Sequence, residues 1–132
     1  MNRKTVKTFS AKVTIGLEKA YEKEKIEKDR VIEFIQKIQN ELIQNKSIYL
    51  SVSVSECEIV MSGQIEPHLV LNFINYPKFP LDEDVLKMEI EELTKKIALQ
   101  FKQNRVVIEY LDETVMFEQN DNIDPRIAPD NS

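Results

Sequence analysis

The chain has 132 residues, of which 42% are apolar, and it carries a formal net charge of −5 at pH 7. This length and composition predict one folded core and exclude collagen-like, disulfide-framework and wholly disordered proteins. The acidic balance also disfavours proteins that wrap duplex nucleic acid, because those need a basic surface, although it permits a local basic patch.

Counts of single residue types exclude further classes. The one cysteine, Cys57, cannot form an internal disulfide, and no apolar signal region follows the N-terminus, so we expect a cytoplasmic protein. No apolar run approaches the roughly 20 residues of a membrane span. One histidine, His68, cannot build a histidine-rich metal site, and two glycines cannot form a glycine-rich phosphate loop. We therefore predict neither a metal nor a cofactor.

The first two elements follow from apolar spacing. Apolar residues alternate with polar or small ones over residues 9–17, which predicts a half-buried strand. The Lys- and Glu-rich segment 18–28 is typical of a solvated loop or a helical lead-in. Asp29 is a suitable N-cap for a helix over residues 29–45. Its apolar face carries residues at helical spacing: Val31, Ile35, Ile38 and Leu42.

A hairpin is predicted next. Residues 48–61 are rich in β-branched and small residues, Ser62-Gly63 supplies a turn, and a second apolar run covers residues 68–76. With Ser62-Gly63 at the centre, the two numbers of each cross-strand pair add up to 125. This register predicts three pairs: Val52 with Phe73, Val54 with Leu71 and Cys57 with His68. Pro67 could shift the register by interrupting the ladder.

The remaining elements lie after a proline-rich segment. Asp82 is an N-cap for a second helix that we expect to run to Gln103, with an apolar stripe along one face. Residues 105–111 and 114–118 predict two further strands. From residue 119 to residue 132 the composition turns to Asn, Asp and Pro, which predicts a disordered tail.

This order of elements is that of the α+β ferredoxin-like split βαβ fold (βαββαβ), with an added short C-terminal strand. We expect one domain over residues 1–118, with both helices on one face of an antiparallel sheet. The uncovered face and the second helix would then leave apolar side chains exposed, which predicts a homo-oligomer. These side chains are Val70, Ile74, Val85, Met88 and Leu99.

Few residues suggest catalysis. Cys57 opposite His68 is the one arrangement that resembles a nucleophile with its base, but an inert, half-buried cysteine is the more common case. The acidic run 82–84 is explained by helix capping rather than by a paired-carboxylate site. We therefore predict no catalytic residue and a protein without enzymatic activity, with a Cys57-His68 enzyme as the third alternative.

A candidate ligand site lies in the segment that joins the hairpin to the second helix. Tyr76 or Phe79 could stack on a planar group, and Asn75 could hydrogen-bond its edge. A phosphate could be neutralised by a cation, one of which could come from a neighbouring subunit. The candidate cations are Lys78, Arg30 and Arg105. The alternative is a structural loop whose aromatic side chains close the end of the sheet.

Three segments, residues 8–17, 75–80 and 112–117, resemble a small family of uncharacterised bacterial and phage proteins. In size and in its five strands and two helices, over residues 5–118, the chain is also similar in layout to phage anti-Thoeris sponge proteins. That second resemblance implies a role in phage counter-defence, through oligomers that sequester cyclic ADP-ribose-type immune signals without cleaving them. No binding motif matches residue by residue, so neither resemblance assigns a site.

Together these observations predict a non-enzymatic oligomeric protein that holds a small nucleotide-like or phosphorylated ligand and could sequester a signalling nucleotide. Its expected partners are a second copy of itself and that ligand, with neither a membrane nor duplex nucleic acid. The alternative is a protein-protein interaction module without a small-molecule ligand.

Overall fold

The structure is a computed structural model that describes residues 1–19, 24–61 and 63–123. Two helices and five strands follow one another in the predicted order. The elements are β1 (Ser10–Gly16), α1 (Lys28–Lys46), β2 (Val52–Met61), β3 (Gln64–Ile74), α2 (Glu83–Gln100), β4 (Arg105–Tyr110) and β5 (Thr114–Glu118).

The five strands form one antiparallel sheet in the order β2-β3-β1-β4-β5. Strand β1 lies at the centre, paired with β3 on one side and β4 on the other. Both helices pack on one face of this sheet, so the predicted ferredoxin-like α+β fold is confirmed, including the added fifth strand.

One core lies between the sheet and the helices. The inward side chains of β1 are fully buried at every second position, because successive residues of a strand point to opposite faces. On α1 and α2 the buried residues recur every three or four positions, as expected for helices with one apolar face. Each buried Leu or Ile contributes about 1.5–3 kcal/mol. The alternation and the helical stripes visible in the sequence therefore determine which face each element buries.

The predicted register of the hairpin is confirmed. Val52 pairs with Phe73, Val54 with Leu71 and Cys57 with His68. Pro67 does not shift the register, because it pairs with Glu58. Its carbonyl accepts a hydrogen bond of 2.9 Å from the Leu17 amide. Gly63 has φ +80°, which glycine adopts readily in a tight turn. Of the predicted turn, Ser62 lies outside the described residues.

Several boundaries differ from the prediction. Strand β3 starts at Gln64 rather than His68, so the hairpin is longer than expected and extends beyond the end of β1. Helix α1 starts at Lys28, which places Asp29 in its first turn rather than at its N-cap. Helix α2 ends at Gln100, because the chain turns at Lys102, where φ is 53°.

The outer face of the sheet, which the helices leave uncovered, includes one exception to the expected exposure. Val70 is only 8% exposed, although it lies on that face, whereas Ile74 on the same strand is 49% exposed. Val70 lies on an inner strand of the sheet, flanked in register by Ser55 on β2 and Thr14 on β1. The prediction that Val70 is exposed is therefore wrong. Met88 and Leu99 on α2 are exposed as predicted.

The segment after β5 is described as far as residue 123. The Gln119 side chain donates a hydrogen bond of 2.8 Å to the Gln103 carbonyl, and the Asn120 amide donates one of 3.1 Å to Asn104 Oδ1. Residues 124–132 of the predicted tail lie outside the described residues. The division into a domain of residues 1–118 and a tail stays a prediction.

Candidate functional site

The segment between β3 and α2 is closed by one asparagine. Asn75 Nδ2 donates a hydrogen bond of 2.8 Å to the Leu81 carbonyl, and the Leu81 amide donates one of 3.0 Å to Asn75 Oδ1. A further bond of 3.0 Å from the Phe79 amide to the Tyr76 carbonyl forms a turn inside this loop. The Asn75 amide, which the sequence suggested for ligand recognition, thus holds the loop in shape.

Three aromatic rings form a patch beside this loop, here called the aromatic surface: Tyr49, Tyr76 and Phe79. The Tyr49 and Phe79 rings stack with centroids 4.3 Å apart, and the Tyr76 and Phe79 centroids are 6.2 Å apart. The three side chains remain 41%, 44% and 40% exposed, respectively. Because an ordered loop presents them to solvent, they offer a preformed platform for a planar group.

Tyr49 was missed in the sequence analysis. It lies three residues before β2 and 30 positions from Phe79, and the two residues meet only because β2 and β3 are paired. The predicted hairpin register placed the start of β2 beside the end of β3. From that register, Tyr49 could have been predicted to lie beside the loop that follows β3.

The predicted cations do not gather around the aromatic surface. Lys78 lies in the loop and is exposed, but Arg105 lies at the start of β4, at the opposite end of the sheet. Its Nε donates a hydrogen bond of 2.8 Å to Glu118 Oε2, and the pair is about one-third exposed. Arg30 lies in the first turn of α1, near the same far end, where Lys28 pairs with Glu56 of β2. Within one chain, the structure thus brings together the loop residues but not the arginines.

A cleft of about 140 Å³ opens at the same end of the sheet as the aromatic surface. It lies between the segment leading into β1, the first turns of α2 and the end of β4. Its charged and hydroxyl side chains include Lys7, Ser10, Glu83, Lys87, Tyr110 and Asp112, and we call it the charged cleft. The sequence did not indicate it, because its walls come from three segments that lie far apart in the chain.

Lys87 is the central cation of the charged cleft. Its Nζ lies 3.4 Å from Asp112 Oδ1, 3.6 Å from Glu113 Oε1 and 4.5 Å from the centroid of the Tyr110 ring. Desolvation lowers the pKa of Lys87, whereas the hydrogen bond and charge of Asp112, together with Glu113, raise it. The result is a pKa above the usual value for lysine. Lys87 is therefore a fixed positive charge at neutral pH.

Tyr110 forms one wall of the charged cleft. Its hydroxyl donates a hydrogen bond of 2.9 Å to Glu91 Oε2. Burial, together with that hydrogen bond and the charge of Glu91, raises the pKa of Tyr110 well above its usual value. Tyr110 therefore remains protonated and cannot act as a base at neutral pH.

Cys57 and His68 are direct cross-strand neighbours, as the register predicted. His68 Nδ1 lies 3.1 Å from the Glu66 carbonyl oxygen, and Nε2 lies 4.0 Å from the Glu66 carboxylate. This pair lies at the end of β1 near Gly16, at the opposite end of the sheet from the aromatic surface and the charged cleft. Cys57 and His68 are therefore not part of the aromatic surface or of the charged cleft.

Residues 1–19, 24–61 and 63–123 contain neither a cluster of metal ligands nor a membrane-crossing helix. In this part of the chain, His, Cys, Asp and Glu side chains form no group of three or more with the arrangement of a metal site. Neither α1 nor α2 has the length and apolar content that a membrane-crossing helix needs.

Comparison with solved structures finds the same fold in a phage SAM lyase (SAM, S-adenosylmethionine). The lyase in complex with S-methyl-5'-thioadenosine is 19% identical, with a TM-score of 0.64, and the match covers 90% of this chain and 95% of the lyase. The apo lyase is 18% identical, with a TM-score of 0.62, over 87% of this chain and 92% of the lyase. No family model and no curated protein matches the chain.

These comparisons correct one prediction. The chain was expected to lack enzymatic activity. The phage SAM lyase that shares its fold over almost its whole length is an enzyme. The prediction was wrong because it took the small number of candidate catalytic residues in the sequence as evidence against enzymatic activity. The layout-level resemblance to sequestering phage proteins is not tested by these comparisons and stays a prediction.

Proposed function

We propose that this protein is an enzyme that binds S-adenosylmethionine and cleaves it to S-methyl-5'-thioadenosine. The observation that carries the proposal is the fold shared, over nine-tenths of this chain, with a SAM lyase in complex with that thioadenosine. The predicted class of a small nucleotide-like ligand agrees with this substrate, since S-adenosylmethionine is an adenosine derivative.

The chemistry suits a chain with few reactive side chains. Forming S-methyl-5'-thioadenosine breaks the bond between the sulfonium sulfur and Cγ of the amino-acid part, and the sulfur keeps the electron pair as a neutral thioether. In one route the carboxylate oxygen of the substrate attacks Cγ as the C–S bond breaks and closes a lactone; in the other a base, such as a water molecule, takes a Cβ proton as the same bond breaks and an alkene forms. Closure to the lactone needs no base from the protein. The protein would act mainly by holding the substrate in the reactive conformation.

The aromatic surface is the part of the molecule that best suits the adenine. Tyr76 or Phe79 would stack on the base, as predicted from the sequence, and Tyr49 extends the platform. Stacking of a base on an aromatic side chain contributes roughly 1–3 kcal/mol. S-Adenosylmethionine carries no phosphate, so the role of neutralising a phosphate, predicted for Lys78, Arg30 and Arg105, has no counterpart in this substrate.

We also propose a homo-oligomer, with the hairpin of β2 and β3 as its contact. The end of this hairpin extends past β1 and carries apolar side chains that are 38–71% exposed: Ile59, Val60, Met61 and Ile65. A two-stranded ribbon with exposed apolar faces is only marginally stable in water, so a covering surface would stabilise it. A second copy of the chain could also bring an arginine to the aromatic surface.

The test is incubation of the protein with S-adenosylmethionine and chromatographic detection of S-methyl-5'-thioadenosine. We expect the thioadenosine to accumulate with time and in proportion to protein concentration. Tyr76→Ala should lower the rate at low substrate concentration, whereas Met116→Ala, at an exposed position on β5 outside both the aromatic surface and the charged cleft, should not. Failure of the wild-type protein to form the thioadenosine would overturn the proposal.

A further inference from the structure

We infer that the charged cleft holds the α-amino-acid end of the ligand while the aromatic surface holds its adenine. This inference rests on the proposed function and deepens it. It assigns the two ends of one nucleoside amino acid to two surfaces that lie at the same end of the sheet.

The charged cleft and the aromatic surface both lie at the start of β1. Ser10, which lines the charged cleft, pairs with Ile74, the last residue of β3 before the loop that carries the aromatic surface. Tyr110, the opposite wall, pairs with Ala11 on the other side of β1. Strands β3 and β4 are two strand spacings apart, about 10 Å. A ligand about as long as a nucleoside amino acid can span that separation.

The charged cleft carries both signs of charge. Two lysines and two carboxylates line the charged cleft, with Lys7 Nζ 3.7 Å from Glu83 Oε2 and Lys87 Nζ 3.4 Å from Asp112 Oδ1. Each ammonium group has three N–H donors and each carboxylate has two acceptor oxygens, so these pairs keep hydrogen-bonding capacity for a ligand. An α-amino acid is a zwitterion, whose carboxylate would accept hydrogen bonds from the lysines and whose ammonium would donate to the carboxylates.

The same charges disfavour other ligands. A free phosphate would meet the lysines but would also face Glu83 and Asp112, which repel it. An apolar ligand would have to desolvate four charged groups without compensation. The cleft therefore favours a group that carries both signs, and hydroxyls of Thr8 and Ser10 on its rim add neutral hydrogen-bonding partners.

The experiment compares two neutral thioethers of adenosine by calorimetry. S-Adenosylhomocysteine carries the amino-acid group, and S-methyl-5'-thioadenosine carries a methyl group in its place. We expect wild-type protein to bind the first more tightly. Lys87→Met and Lys7→Met should weaken binding of S-adenosylhomocysteine about tenfold or more and leave that of the thioadenosine within about twofold.

Two matched variants complete the design. Lys96→Met removes an exposed lysine from the same helix and should bind both thioethers as wild type does. Tyr76→Ala should weaken both thioethers alike, since both contain adenine. Lys7 is 89% exposed, so Lys7→Met tests the cleft even if Lys87→Met impairs folding.

The outcomes separate this inference from the proposed function. Equal wild-type affinity for the two thioethers, or lysine variants that bind both as wild type does or weaken both equally, would overturn the assignment of the charged cleft and leave the lyase proposal standing. Absence of binding of either thioether, together with no cleavage of S-adenosylmethionine, would overturn the proposed function itself.

Discussion

Single side chains hold the candidate site in shape. Asn75 makes both hydrogen bonds to Leu81 across the loop, so its side chain takes the place of a pair of backbone hydrogen bonds. Sequence reasoning identified the residue but assigned its amide to a ligand. The pattern of residues in a loop shows that an amide is present and cannot show which partner is nearest.

Asn75→Ala should lower the free energy of unfolding by about 1–3 kcal/mol, because both Leu81 backbone groups lose their partner. Asn75→Asp keeps the acceptor for the Leu81 amide but replaces the donor to its carbonyl, so it should also be less stable than wild type. Urea denaturation measures the free energy of unfolding of both variants and of wild type. Wild-type stability of Asn75→Ala would show that the loop is held by other contacts.

Tyr110 predicts a pH dependence. Its pKa is higher in the folded protein than the value of 10.0 expected for an exposed tyrosine, because of burial and the hydrogen bond to Glu91. The folded state therefore favours the protonated phenol. This contribution to stability is complete below about pH 10 and is lost as the pH rises from there towards the folded pKa.

Spectrophotometric titration of the four tyrosines checks this expectation. In the folded wild type the Tyr110 phenol should ionise only at a pH above the ordinary range for tyrosine, and Tyr110→Phe should lack that late part of the titration. The variant should also lose less stability than wild type between neutral pH and pH 11. Identical titration curves at high pH for wild type and Tyr110→Phe would contradict the prediction.

At the scale of elements, the sequence predicted most of the fold. The alternation in β1, the stripes on the helices and the turn at Gly63 were sufficient for the order of elements and for the hairpin register. The pairing of Arg105 with Glu118 and the buried junction at Gln103 were not predicted. Such contacts depend on how the ends of separate elements meet, and neither periodicity nor composition records that geometry.

The Gln103 junction gives a prediction about how elements are joined. Gln103 Oε1 accepts a hydrogen bond of 3.1 Å from the Gly16 amide, and Nε2 donates to the Glu18 carbonyl at 2.9 Å and to the Phe101 carbonyl at 3.1 Å. Gln103→Leu should lower the free energy of unfolding by about 1–3 kcal/mol, since buried backbone groups lose their partner.

The control for this variant is Gln100→Leu, at an exposed position at the end of α2, which should have little effect on stability. Denaturant unfolding compares the two. If both leucine variants unfold at the same denaturant concentration, the junction contributes nothing specific to the contact between β1 and the end of α2.

At the scale of the whole molecule, the proposed homo-oligomer can be tested on the hairpin. Val60 and Ile65 form a cross-strand pair beyond the end of β1, and they are 71% and 64% exposed. A Val60→Thr, Ile65→Thr double variant keeps β-branched residues in both strands but adds hydroxyl groups, which weakens an apolar contact without removing strand propensity.

We expect light scattering to find wild type larger than the 15.5 kDa chain at tens of micromolar. The double variant should be smaller than wild type, and Leu111→Thr, at an exposed position outside the hairpin, should match wild type. A wild-type particle of one chain would overturn the homo-oligomer, and an unchanged double variant would move the contact away from the hairpin.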